Sequence, residues 1–71
     1  MKLPFDCLVL DSGPVEVKNR FGGASCMLTP DAVAVYDTIM GAELFGQYKT
    51  MQKGLTWFRK HYPNEYMILL D

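Results

Sequence analysis

Leu28-Thr29-Pro30-Asp31-Ala32-Val33 is the stretch where the chain changes its kind of order. Before it, apolar residues alternate; after it, they recur at helical spacing. Thr29 can cap free backbone N–H groups, Pro30 suits the first helical position, and Asp31 complements the positive end of a helix dipole. A helix is therefore expected from Pro30 to about Leu44, with Gly46 as its stop. Its seam is Val33, Tyr36, Met40 and Leu44, widened by Ala32, Val35 and Ile39. With only Asp37, Thr38 and Glu43 clearly polar after the first turn, this helix should be covered on most sides.

Upstream of that junction the pattern is strand-like. Val15-Glu16-Val17-Lys18-Asn19 and Ala24-Ser25-Cys26-Met27-Leu28 alternate around Phe21-Gly22-Gly23, which reads as a β-hairpin. An earlier strand is expected from about Leu3 to Leu10. It is apolar on both faces, and Asp11-Ser12-Gly13-Pro14 supplies a turn after it. Together these make a three-stranded antiparallel meander.

Downstream, Tyr48, Met51, Leu55, Phe58 and Tyr62 form a stripe at 3-4-3-4 spacing, so a second, amphipathic helix is expected over about Gln47–His61. The short connection makes the two helices an antiparallel hairpin. Pro63 ends the second helix. Tyr66-Met67-Ile68-Leu69-Leu70 then suits either a short C-terminal helix or a fourth strand beside the first. The fold class is α+β, with a helical hairpin on one face of the meander, in a single domain over residues 1–71.

Asn19-Arg20-Phe21, the run Leu28 to Asp37, Lys53-Gly54-Leu55, Phe58-Arg59-Lys60 and Tyr62-Pro63 resemble a family of small phage-encoded proteins with no assigned activity. The similarity spans about residues 15–71. It implies an accessory protein made during infection in a bacterial cytoplasm. Chains of this kind act mostly as binders of a host machine or as minor assembly parts.

Composition narrows the function classes. With 71 residues the chain buries a modest core, yet 49% of it is apolar. The excess points to self-association as a homodimer through the first strand or the first helix. Net charge is −1, which offers no global attraction for nucleic acid or a membrane surface. Residues 1–46 carry six acids against three bases, and residues 47–71 four bases against two acids, so the two parts are mildly complementary. The longest apolar run, Cys7-Leu8-Val9-Leu10, is far short of a membrane span, and a cytoplasmic location with reduced thiols is expected.

No pattern supports catalysis. Cys7, Cys26 and His61 are the only soft or borderline metal ligands and none forms a close pair, so neither a metal site nor a cofactor is expected. Gly22-Gly23 precedes a strand, whereas phosphate loops precede a helix. A non-enzymatic, protein-binding accessory factor is the reading the residues favour. Two surfaces are candidates. On the second helix Lys49, Lys53 and Lys60 project within about 40° of one another, with Trp57 at the edge of that face. A Trp among lysines can anchor a protein or stack a base; alternatively Trp57 folds into the core and the lysines are simply solvated. The hairpin tip, with Arg20 and Phe21, is the second surface, unless Phe21 tucks under the first helix. A small nucleic-acid-binding protein and a minor virion part are the alternatives from other classes.

Overall fold

Val15, Val17, Cys26 and Leu28 turn inward while Glu16, Lys18, Ser25 and Met27 face out, as period-two alternation requires. They form β1 (Val15–Lys18) and β2 (Ser25–Leu28), antiparallel, with Val15 opposite Leu28 and Lys18 opposite Ser25. Gly22 and Gly23 close the tip at φ +91° and +89°, in the left-handed region that glycine enters without steric cost. The computed structural model describes residues 3–5, 7, 9 and 12–70.

Helix α1 (Pro30–Leu44) begins as its sequence dictates. Thr29 Oγ1 accepts from the Ala32 N–H at 3.3 Å, and the same hydroxyl lies 2.9 Å from the Tyr62 hydroxyl, linking the start of α1 to the end of the next helix. The helix ends in a Schellman arrangement. The Gln47 N–H reaches the Ala42 carbonyl at 2.8 Å and the Gly46 N–H the Glu43 carbonyl at 3.3 Å, around Gly46 at φ +72°. This tight reversal lets α2 (Tyr48–His61) run back along α1. Tyr62 breaks the helix, and Pro63 then opens α3 (Pro63–Leu69), which packs on β2. The C-terminal segment is therefore helix, not a fourth strand.

Helix α1 is the centre of the molecule. Five consecutive residues, Ala32 to Tyr36, are buried, as are Ile39 and Ala42. Leu28, Val35, Ile39 and Phe58 are the largest fully enclosed side chains. The antiparallel helices approach closely at Gly54, where a Cβ would collide with the Ile39 side chain and stand 3.3 Å from Phe5 Cε2.

The strand expected over Leu3–Leu10 is not found among the described residues. Leu3, Pro4, Phe5, Cys7 and Val9 carry no strand pairing; Asp6, Leu8 and Leu10 lie outside the described residues. The sheet so described has two strands, not three. Pro4 offers no N–H to a ladder, and Leu3, Phe5 and Cys7 instead set their side chains against the core. Phe5 in particular approaches α2 at Gly54 as covering chain. No helix of the described residues is long and apolar enough to cross a membrane.

Candidate functional site

Asn19 organises the hairpin tip from three directions. Its backbone N–H donates to the Ala24 carbonyl at 2.9 Å, and its Oδ1 accepts from the Phe21 N–H at 2.7 Å. Its Nδ2 donates across the molecule to the Ile68 carbonyl at 2.6 Å, tying the tip to α3. Asn suits this position because a short amide can serve the local turn and a distant carbonyl together. Arg20 then reaches the end of α1. Its Nη1 lies 2.9 Å from Glu43 Oε1 and 3.6 Å from Met40 Sδ, and its guanidinium stands 5.0 Å over the Phe21 ring.

These contacts hold the hairpin tip against the α1–α2 reversal, and both carry exposed apolar side chains. Phe21 is 85% exposed, Leu44 80%, Phe45 77% and Tyr48 65%. Phe21 is not a lid on the core. Leu44 and Tyr48, expected at the ends of two buried stripes, stand in solvent because the Gly46 reversal turns both helix ends away from the core. Four large apolar residues are thus exposed on the two segments that Arg20 joins, and exposed apolar clusters of this kind mark interaction surfaces. Sequence reasoning found Arg20 and Phe21 but not Leu44, Phe45 and Tyr48. The legible signal was three large apolar residues, Leu44, Phe45 and Tyr48, within a three-residue interhelix turn and its immediate flanks.

On the basic face of α2 the structure follows the second of the two readings, with Trp57 folded into the core beside exposed lysines. Trp57 is only 7% exposed. Its ring packs with Phe58 at 6.0 Å, His61 at 5.2 Å and Tyr62 at 5.6 Å between centroids. Helix α2 buries Gly54, Trp57 and Phe58, so its inward face is rotated away from the Tyr48–Tyr62 stripe and towards the N-terminal segment. Above Trp57 runs an open groove of about 440 Å³, flanked by Gln52, Lys53, Thr56, Lys60 and His61 and bounded by Pro4. Lys53, Trp57 and Lys60 thus meet at one groove. Lys49 is exposed but does not line it.

The thiols lie elsewhere. Cys26 points inward from β2, and burial, with Glu65 nearby, raises its pKa above the ordinary thiol value. Burial likewise raises the Tyr36 phenol, against a smaller opposing effect of Arg20. His61 packs on Trp57. Among the described residues no three His, Cys, Asp or Glu side chains cluster as a metal site. Neither Cys7 nor Cys26 is in a disulfide.

The described residues define a small α+β fold that carries an exposed apolar corner and a groove flanked by Lys53 and Lys60. No protein-family model, curated protein or solved structure matches the chain.

Proposed function

We propose that this chain is a small, non-enzymatic protein-binding factor whose working face is the corner formed by Phe21, Leu44, Phe45 and Tyr48. The observation that carries the reading is their exposure, 65–85%, on the two segments that the Arg20–Glu43 pair joins; Met67 and Met27, also exposed, lie apart on α3 and β2. A chain of 71 residues gains nothing in stability from four large apolar side chains in water, whereas aromatic residues and Arg are the types that anchor interfaces. Arg20 and Glu43 neutralise one another inside the patch, so the partner is a protein surface that is apolar at its centre and weakly charged. The resemblance to small phage proteins makes a bacterial host or viral protein the place to look. The nucleic-acid alternative is weaker, because Trp57 is enclosed by its own helix neighbours and presents no open ring face for a base.

Capture from nuclease-treated bacterial lysate tests this, comparing the native chain with the double variant Phe21→Ser, Phe45→Ser and with Met67→Ser, an exposed apolar residue on α3. A protein held by the native chain and Met67→Ser, and reduced at least tenfold by the double variant, is the expected result. Equal capture by all three, or capture that nuclease abolishes, would overturn the reading.

Self-association uses the same corner. Arg20 and Glu43 place both signs of charge in one patch, so two copies about a two-fold axis can match each arginine with the other's glutamate. The routes expected from sequence are less suitable: α1 buries Ala32–Tyr36, Ile39 and Ala42 within the chain, leaving Leu44 at its end for the corner, and Leu3, Phe5 and Cys7 pack on the core. Sedimentation equilibrium at micromolar concentration should return about twice 8.1 kDa, and the Phe21→Ser, Phe45→Ser variant the monomer mass.

A further inference from the structure

Lys53 and Lys60 stand seven residues apart on one face of α2, about 10 Å along its axis. Trp57 lies between them at the base of the groove, and Pro4 forms an apolar wall. Neither lysine has an ion-pair partner among the described residues. Gln52 and Thr56 add hydrogen-bonding groups to the rim. The groove is open along its length, which suits a chain segment rather than an enclosed small molecule.

We propose that this groove is a docking site for an extended acidic peptide segment of the form acidic-x-apolar-x-acidic. In an extended chain residues i, i+2 and i+4 point the same way, and the outer two are about 13 Å apart. Two carboxylates at those positions reach Lys53 and Lys60, the flexible side chains closing the difference, while the central apolar side chain rests on Trp57 and Pro4. Charge selects the ligand class, since the rim is cationic at Lys53 and Lys60 and no acid lines it among the described residues. The aromatic arrangement selects peptide over nucleic acid: His61 and Tyr62 pack on Trp57, leaving a narrow apolar surface and no stacking platform. This site is separate from the apolar corner and does not depend on it.

The single tryptophan of the chain is Trp57, so its fluorescence reports the groove directly. The probe is the blocked pentapeptide Glu-Ser-Leu-Ser-Glu, titrated at low salt against its Gln-Ser-Leu-Ser-Gln counterpart. Saturable binding of the acidic peptide in the range of about 0.1–1 mM is expected, at least fivefold weaker for the Gln peptide. The Lys53→Gln, Lys60→Gln variant, with both changes at exposed positions and its helical signal unchanged, should lose about five- to tenfold in affinity for the acidic peptide. Equal affinity for the two peptides, no saturation by about 5 mM, or an unchanged affinity in the lysine variant would each overturn the proposal. So would a short oligothymidylate that binds the native groove more tightly than the peptide.

Discussion

Two aromatic clusters of similar make-up meet opposite fates in this chain. At the C-terminal half of α2, Trp57, Phe58 and Tyr62 stack among themselves and with Tyr36 of α1, with ring centroids 5.6–6.5 Å apart. At the far end, Phe21, Phe45 and Tyr48 stand in water around one salt bridge. The first cluster sits where α1, α2 and α3 converge, so every ring finds a neighbour. The second sits where the chain reverses, and only the hairpin tip approaches it. Aromatic content alone therefore says little about core size. What decides burial is whether other elements meet at that position.

That contrast can be broken most sharply by truncating one ring from each cluster. Phe58→Ala should cost about 3–5 kcal/mol, as large cavities in a closed core do. Phe45→Ala should stay within about 0.5 kcal/mol, as for other exposed positions. Urea unfolding of both variants checks the pair; similar losses would mean that the corner is structural. A chain this small has limited stability, so Phe58→Ala is expected to be substantially unfolded without denaturant.

The close approach of α1 and α2 offers a smaller perturbation of the buried side alone. Gly54→Ala would gain about 1 kcal/mol of helix propensity in open solvent. Here the new methyl meets Ile39 and Phe5, and overpacking of this kind costs about 1–3 kcal/mol. A net loss in the same unfolding assay is expected, relieved in part by Ile39→Val. Gly41→Ala, where a Cβ meets nothing within 4 Å, should instead be neutral or stabilising.

The smallest effect is expected at the sheet side of the core. Folding raises the Cys26 pKa, so the unfolded chain gives up that proton at a lower pH than the folded one. Stability is unaffected below the ordinary thiol pKa and falls as pH rises through the raised value. Tyr36 acts in the same direction at higher pH. Melting temperature measured from pH 7 upward should decline on the alkaline side, and Cys26→Ala should remove the earlier part of that decline. An identical alkaline slope in the variant would show that Cys26 does not contribute.

Much of the architecture was legible from local chemistry. Thr29, Pro30 and Asp31 start α1 where their cap geometry requires, Gly46 ends it, and Gly22-Gly23 turns the hairpin between alternating strands. Pro63 stops α2 and opens α3, although the apolar run after it served a strand equally well on paper. Of the candidate surface, Arg20 and Phe21 were readable because a large ring beside two glycines has little to pack against. Lys53 and Lys60 were readable from their spacing.

Other assignments depended on elements that are distant in sequence. Whether Leu3–Leu10 pairs as a strand or covers a helix turns on what lies beneath it, and an apolar run looks the same in both cases. Trp57 projects from the polar side of an isolated α2, yet the chain around Pro4 and Phe5 turns that side inward. Leu44 and Tyr48 continue buried stripes by periodicity, but periodicity carries no information about where the neighbouring elements end. Caps, turns and helical stripes are set within a few residues by backbone sterics and hydrogen bonding, so the sequence by itself determined them. Burial depends on which surfaces meet across the whole chain, and only the tertiary structure decided which aromatics became core and which became the exposed corner.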